Sequence, residues 1–145
     1  MTLWDWASAA YARPGVEPLC LALQDQHGQC VSYLLWALWA AGEGRPIDAT
    51  TLAQIAGVAH ELEVITVQPM RNLRRTLTIP DLRADIRAAE LDAEKSLMEL
   101  LERRSPPPLG PAIDPHAALR AAAAAWAADI PTSLLDTLAD AFSIG

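Results

Sequence analysis

The sequence has few cysteines, no long apolar run and no excess of basic residues, and each absence excludes a class of protein. Only two cysteines occur, Cys20 and Cys30, and no basic stretch followed by an apolar one precedes the first predicted helix, so nothing points to secretion. We therefore expect a cytoplasmic protein. The most apolar run, residues 30–41, is about a dozen residues long, whereas a membrane-spanning helix needs roughly 20. We expect no membrane insertion.

Acidic residues outnumber basic ones, 18 to 11, which gives a formal net charge of −7 at pH 7. A surface of this sign repels phosphate backbones, so we predict no nucleic-acid partner. The length of 145 residues and the hydrophobic fraction of 52% are typical of one folded domain rather than of a disordered chain. We expect a single soluble domain.

Apolar residues recur with helical period along the chain. Thr2 is the expected N-cap of a first helix, Pro14 is expected in the first turn of a second, and Gly28 is expected to end that second helix in the left-handed conformation. Residues 31–41 are apolar on nearly every side, which predicts a helix buried at the centre of a bundle.

The fourth helical segment, with Asp48 as its expected N-cap, contains a proline and a β-branched run. Pro69 removes a backbone donor, and residues 64–67 have low helix propensity, so we expect a kink or a break near Val67 and Gln68. The predicted buried stripe of this segment consists of Leu52, Ile55, Ala59, Leu62, Pro69, Leu73 and Leu77.

A fifth amphipathic helix is predicted to begin at Pro80, and the prolines of residues 105–111 cannot continue it. The fold class we expect is all-α, an orthogonal or irregular bundle of about six or seven helices around one buried apolar helix. Residues 1–104 would form the core bundle, 105–111 a proline connector, and 112–145 a C-terminal helical pair that the connector isolates mechanically.

One polar stretch stands out, Leu23 to Gly28, at the end of an otherwise apolar helix. It belongs to the pattern W…Y…PGV…CLxLQDxHGxxV…LL…W, which spans residues 6–39 and resembles the hallmark of a family of small, uncharacterised proteobacterial proteins with a variable C-terminal half. The resemblance implies a bacterial cytoplasmic protein and implies no activity. The sequence departs from that pattern at Cys30 and Ser32, where an Asp and an Asn often flank the valine.

Gln24, Asp25 and His27, together with His60, form the first candidate site. Imidazole and carboxylate groups can bind a small molecule or a metal, and His is a common acid or base. The alternative is structural, because a histidine and a glycine at a helix end satisfy free carbonyls and form the turn.

A zinc site from Cys20, His27 and Cys30, with a fourth ligand from His60 or His116, lacks the usual close cysteine spacing, so we predict no metal and no cofactor. His60, Glu61 and Glu63 do not form the HExxH motif of metalloproteases, and we expect them on a solvated acidic helix face.

Arg71, Arg74 and Arg75 form the only basic cluster of this acidic chain, and Arg83 and Arg87 follow. The three clustered arginines could bind a phosphate-bearing ligand or an acidic partner. Alternatively, these arginines pair internally with acidic residues of the next helix. The expected internal partners are Asp81, Asp85 and Glu90.

Glycine-rich phosphate loops, dinucleotide motifs and the GxSxG motif are missing from the sequence, so enzymatic activity has no support. Our leading hypothesis is a noncatalytic interaction or regulatory module with an unknown protein partner, because five tryptophans offer anchors if their rings are exposed. The alternative is a small-molecule or metal-binding protein that uses the Gln24, Asp25 and His27 cluster. The sequence leaves self-association open.

Overall fold

The computed structural model describes residues 1–143, and every regular element within that range is a helix. The α4 helix, a π-helical turn and α5 run on without interruption, so the described elements form seven rods packed together. This confirms the predicted all-α bundle. The elements are α1 (Leu3–Tyr11), α2 (Val16–His27), α3 (Val31–Gly42), α4 (Ala49–Leu62), the π turn (Glu63–Val67), α5 (Gln68–Thr76), α6 (Pro80–Arg104), α7 (Pro115–Trp126) and α8 (Thr132–Asp140).

Side-chain caps fix the beginnings of three helices. The Thr2 hydroxyl accepts the N–H of Asp5 at 3.1 Å, the Asp48 carboxylate accepts that of Thr51 at 2.9 Å, and Asp114 caps α7 in the same way. Each cap satisfies a backbone donor that the helix itself leaves unpaired. The prediction for Pro14 was wrong, because α2 begins only at Val16.

The α3 helix lies at the centre of the bundle, as its composition predicted. All its residues from Ser32 to Ala41 are buried, and α1, α2, α4, α6 and α7 all pack against it. Its largest side chain, Trp36, is fully buried and donates its indole N–H to the Ser105 hydroxyl at 2.7 Å. A helix enclosed on every side has no polar face to supply to a site, so functional side chains must come from its neighbours.

The long α4–α5 rod does not break at Pro69, because the π turn of residues 63–67 connects α4 directly to α5. The irregularity expected near Val67 and Gln68 is this π turn, which ends at Val67. A π turn accommodates one extra residue, which shifts the inward face by one position. The predicted stripe is therefore correct as far as Ala59 and wrong beyond Leu62. Pro69 and Leu73 are exposed, whereas Glu63, Val67 and Arg71 are buried.

The C-terminal helices belong to the main core, so the expectation that the proline connector isolates them was wrong. The α7 helix packs against α3 and α4, and α8 packs against α7 and α2. Leu119, Leu135 and Leu138 are fully buried in the same cluster as α3. The connector is itself held, because Leu109 donates its N–H to the Gly44 carbonyl at 3.1 Å.

None of the helices in the described part of the chain combines the length and the apolarity that crossing a bilayer demands.

Candidate functional site

Two cavities open side by side on the surface, and both border α2 and α5. The larger, which we call the groove, has a volume of about 590 Å³ and lies between α1 and α2 on one side and α5 and α6 on the other, above α3. The smaller, which we call the polar cleft, has a volume of about 340 Å³ and lies between the α2–α3 turn, the α4–α5 rod and the end of α7. Gln24, Arg71 and Arg75 line both cavities.

The polar cleft brings together several residues that the sequence singled out. Gln24, Asp25 and His60 all line it, although 35 positions separate Asp25 from His60 in the chain. His27 does not line it, since its Nδ1 lies 2.8 Å from the carboxylate of Asp129 instead. Of the four residues of the first candidate site, three therefore line the cleft, namely Gln24, Asp25 and His60, and His27 does not.

The clustered arginines are each paired with carboxylates. Arg71 donates to Glu63 Oε1 at 3.2 Å, Arg74 donates to Glu90, and the Arg75 guanidinium lies 3.2 Å from Asp25. Of the three internal partners expected from the sequence, Glu90 does pair with these arginines. Within the described residues, Asp81 and Asp85 form no ion pair with these arginines, because both are exposed on the outer side of α6.

Glu63 also departs from its prediction, since it is 7% exposed rather than solvated. It joins what we call the buried ion cluster, in which the Arg71 guanidinium also lies 3.7 Å from Glu90 and 3.8 Å from Glu94. Its position follows from the spacing of α4, because Glu63 comes four residues after the buried Ala59 and so continues the same inward face, toward α6. The members of the cluster are Glu63, Arg71, Arg74, Glu90 and Glu94.

Glu94 faces the groove and holds its proton unusually tightly. Its pKa is raised from 4.5 to about 7, mainly by burial and also by the neighbouring Glu90 and Glu63, while Arg71 and Arg74 act in the opposite direction. Across the groove, burial and the charge of Glu17 raise the pKa of Tyr11 to about 12. Near neutral pH the groove therefore contains a carboxyl group that is partly protonated and a neutral phenol.

Both cysteines are buried, at 1% exposure each. Burial raises the pKa of Cys20 to about 12 and also raises the pKa of Cys30, so both remain thiols near neutrality. Among residues 1–143, no group of three or more His, Cys, Asp or Glu side chains is arranged to hold a metal ion.

Three side chains that line these cavities were not assigned to a site from the sequence, although two of them are among the five tryptophans considered as anchors. Gln29 and Trp126 line the polar cleft, and Trp4 lines the groove. Trp126 lies 98 positions after Gly28 in the chain, and its indole N–H donates to the Gly28 carbonyl at 2.9 Å. Trp36 and Trp39 are buried, and the rings of Trp4, Trp6 and Trp126 are partly buried.

The described residues define a small all-helical protein with two cavities between its helices. A family model described as "Protein of unknown function (DUF2390)" matches residues 2–101, and the chain belongs to that family. No curated protein and no solved structure matches the chain. The matched range contains every residue that lines the groove and every residue that lines the polar cleft except Trp126.

Proposed function

We propose that the protein is a noncatalytic interaction module that binds a segment of a partner protein in the groove. The observation that carries this proposal is the exposure of two leucines at the groove, Leu21 at 38% and Leu91 at 53%. Apolar side chains that line an open concave surface are typical of sites that receive a partner, whereas scattered surface leucines are not informative.

The groove has the composition of a surface that receives an amphipathic segment. Its floor is apolar and includes Ala7, Leu35 and Met98, which are buried, and Trp4 contributes an aromatic wall. Amphipathic helices insert apolar anchors into grooves of this kind and place their polar side chains at the rim. Aromatic side chains beside such anchors contribute strongly to binding.

The charge at the rim indicates the chemistry of the partner. Arg87 lines the groove, is exposed, and forms no ion pair within residues 1–143; it lies one helical turn before Leu91. Arg83, one turn earlier, extends the same side of α6. An apolar segment that carries an acidic side chain would pair with these arginines, and protonation of Glu94 reduces the repulsion of such an acid. We therefore propose an acidic amphipathic helix of another protein as the occupant.

A noncatalytic role agrees with the side chains of the groove. Among the described residues it is lined by no histidine and no cysteine. Arg71 and Arg74 are already held by carboxylates, so they support the wall of the groove and do not meet a reacting group. Glu94, whose pKa is about 7, lies 3.8 Å from Arg71 within the buried ion cluster, so we assign its shifted pKa to this ion-pair network rather than to proton transfer.

Affinity purification of the tagged full-length protein from the cells in which it occurs tests this function. We expect Leu91→Asp to lose the partner, because a carboxylate at the rim desolvates poorly and repels an acidic segment. Leu109→Asp is the matched control, since Leu109 is 74% exposed on the connector and lines neither cavity. Equal recovery with both variants, or recovery of no partner by the wild type, would contradict the proposal.

A further inference from the structure

The polar cleft contains a buried acceptor that lacks a donor. Gln29 lines the cleft and is 2% exposed. Its amide nitrogen donates to the main-chain carbonyl of Asp129 at 3.0 Å, which fixes the orientation of the amide. Its Oε1 has no hydrogen-bond partner in the part of the chain that the structure describes. An unpaired buried oxygen is unfavourable, so a donor that enters from the cleft would be stabilised there.

The charges of the cleft favour a ligand that is not an anion. Arg75 is paired with Asp25, and Arg71 is paired with Glu63. An incoming phosphate or carboxylate would have to displace a carboxylate already in place, and Glu90 and Glu94 lie just behind Arg71. A ligand with N–H donors and a positive charge needs no such displacement.

An aromatic wall adds a second feature that suits a cation. The Trp126 indole lies beside the His60 ring, with 5.6 Å between the ring centroids, and both line the cleft. The hydrogen bond from Trp126 to Gly28 holds the indole in place. The face of a tryptophan ring attracts an ammonium group that lies against it.

We propose that the polar cleft binds a small primary amine in its protonated form. The ammonium group would donate hydrogen bonds to Gln29 Oε1 and to the carboxylate of Asp25 and would lie against the Trp126 ring. The volume of about 340 Å³ is at the small end of the range of ligand sites. This proposal does not depend on the partner proposed for the groove, although the two cavities share Gln24, Arg71 and Arg75.

Titration of the full-length protein with propylammonium chloride, followed by NMR at the Trp126 indole N–H, tests this proposal. The indole signal is assigned from its loss in Trp126→Phe. Tetramethylammonium, which has charge but no N–H donor, and inorganic phosphate are compared at equal ionic strength. We expect propylammonium to shift the signal saturably and to bind about tenfold or more tightly than either comparison ion, because only it supplies the missing donors. Equal binding of tetramethylammonium, tighter binding of phosphate, or no saturable shift with propylammonium would overturn the proposal.

Two variants locate the site. Gln29→Leu removes the unpaired oxygen and should weaken propylammonium binding about tenfold. Gln26→Leu is its control, because Gln26, three residues earlier, is exposed on α2 and does not line the cleft. Should Gln29→Leu fail to fold, Asp25→Asn serves instead, since Asp25 is 41% exposed and its neutralisation should weaken amine binding in the same direction. Unchanged affinity in the folded variant would overturn the proposal.

Discussion

Arg71 and Glu63 face each other inside the protein, 3.2 Å apart and both more than nine-tenths buried. Eight positions separate them along a single rod. Positions seven apart share a face in a regular α-helix, and the extra residue of the π turn makes positions eight apart do so here. Both residues belong to the buried ion cluster, and Arg71 also lines both cavities. We therefore expect the pair to hold the wall that the two cavities share.

Replacing Arg71 should destabilise the protein strongly. Arg71→Met leaves the buried Glu63 without its compensating charge, whereas Glu90 keeps its pair with Arg74, and we expect the free energy of unfolding to fall by about 3–5 kcal/mol. Arg75→Met is the matched control, because the Arg75 pair with Asp25 is more than two-fifths exposed on both sides, and its loss should be below about 1 kcal/mol. Urea denaturation measures both values. Similar losses in the two variants would show that the buried ion cluster contributes no more to the free energy of unfolding than a surface ion pair.

The stability of the protein should depend on the protonation of Glu94. Its pKa rises from 4.5 to about 7 on folding, so between these pH values the folded state binds more protons and stability falls as the pH rises. Glu94→Gln removes this dependence. We expect it to match the wild type below about pH 4.5 and to be more stable by roughly 1–3 kcal/mol above pH 7.

Denaturation across pH 4–8 checks this expectation, with Glu99→Gln as the control, because Glu99 is exposed on the same helix. A difference between Glu94→Gln and the wild type that stays constant with pH would argue against a buried, proton-binding Glu94. Glu90, Glu63, Arg71 and Arg74 are the charged groups that act on Glu94, and none of them changes in this variant.

A methyl group at Gly44 should strain the junction between α3 and the connector. Gly44 has φ +70°, and an added Cβ would overlap the carbonyl oxygen of Gly110. We expect Gly44→Ala to lose roughly 1–3 kcal/mol. Gly57→Ala should instead gain roughly 0.5–1 kcal/mol, since Gly57 is exposed within α4 and nothing lies within 4 Å of its added Cβ. Thermal unfolding distinguishes the two, and equal effects would mean that the connector does not press on Gly44.

The C-terminal helices should be indispensable for the fold. Leu119 of α7 is fully buried in the core cluster, so Leu119→Ala should cost about 2–5 kcal/mol through the cavity it leaves. Leu109→Ala, on the exposed connector, should cost little. For the same reason, truncation after Arg104 should give a chain that unfolds or aggregates. A stable, soluble fragment of residues 1–104 would instead support the original prediction that the C-terminal helical pair is separable from the core.

Local sequence patterns predicted most of the helices, because caps and apolar periodicity act over a few residues. Thr2 and Asp48 form the caps expected of them, and Gly28 ends α2 with φ 63°. The prolines of the connector also interrupt the helix where expected, but they do not prevent docking, because Leu119 and Leu135 bury more apolar surface than the alanine-rich sequence suggested.

The site was predicted only in part, because its geometry depends on contacts between distant segments. Beyond the π turn, Val67 and Arg71 are buried where the predicted stripe had Pro69 and Leu73, and nothing in the apolar pattern marks a one-residue shift of this kind. Because of this shift, the carboxylates that pair with the arginines, apart from Glu90, also differ from the predicted ones. His27 was separated from Asp25 by an ion pair with Asp129, which lies 102 positions away.

The most direct test of the proposed function is the dissociation constant of the purified partner for the wild type, Leu91→Asp and Leu109→Asp. We predict that Leu91→Asp weakens binding by about thirtyfold or more, as expected for a central apolar contact, while Leu109→Asp binds as tightly as the wild type. Circular dichroism confirms that both variants retain the helical fold. A folded Leu91→Asp variant that binds the partner as tightly as the wild type would contradict the assignment of the groove as the interaction surface.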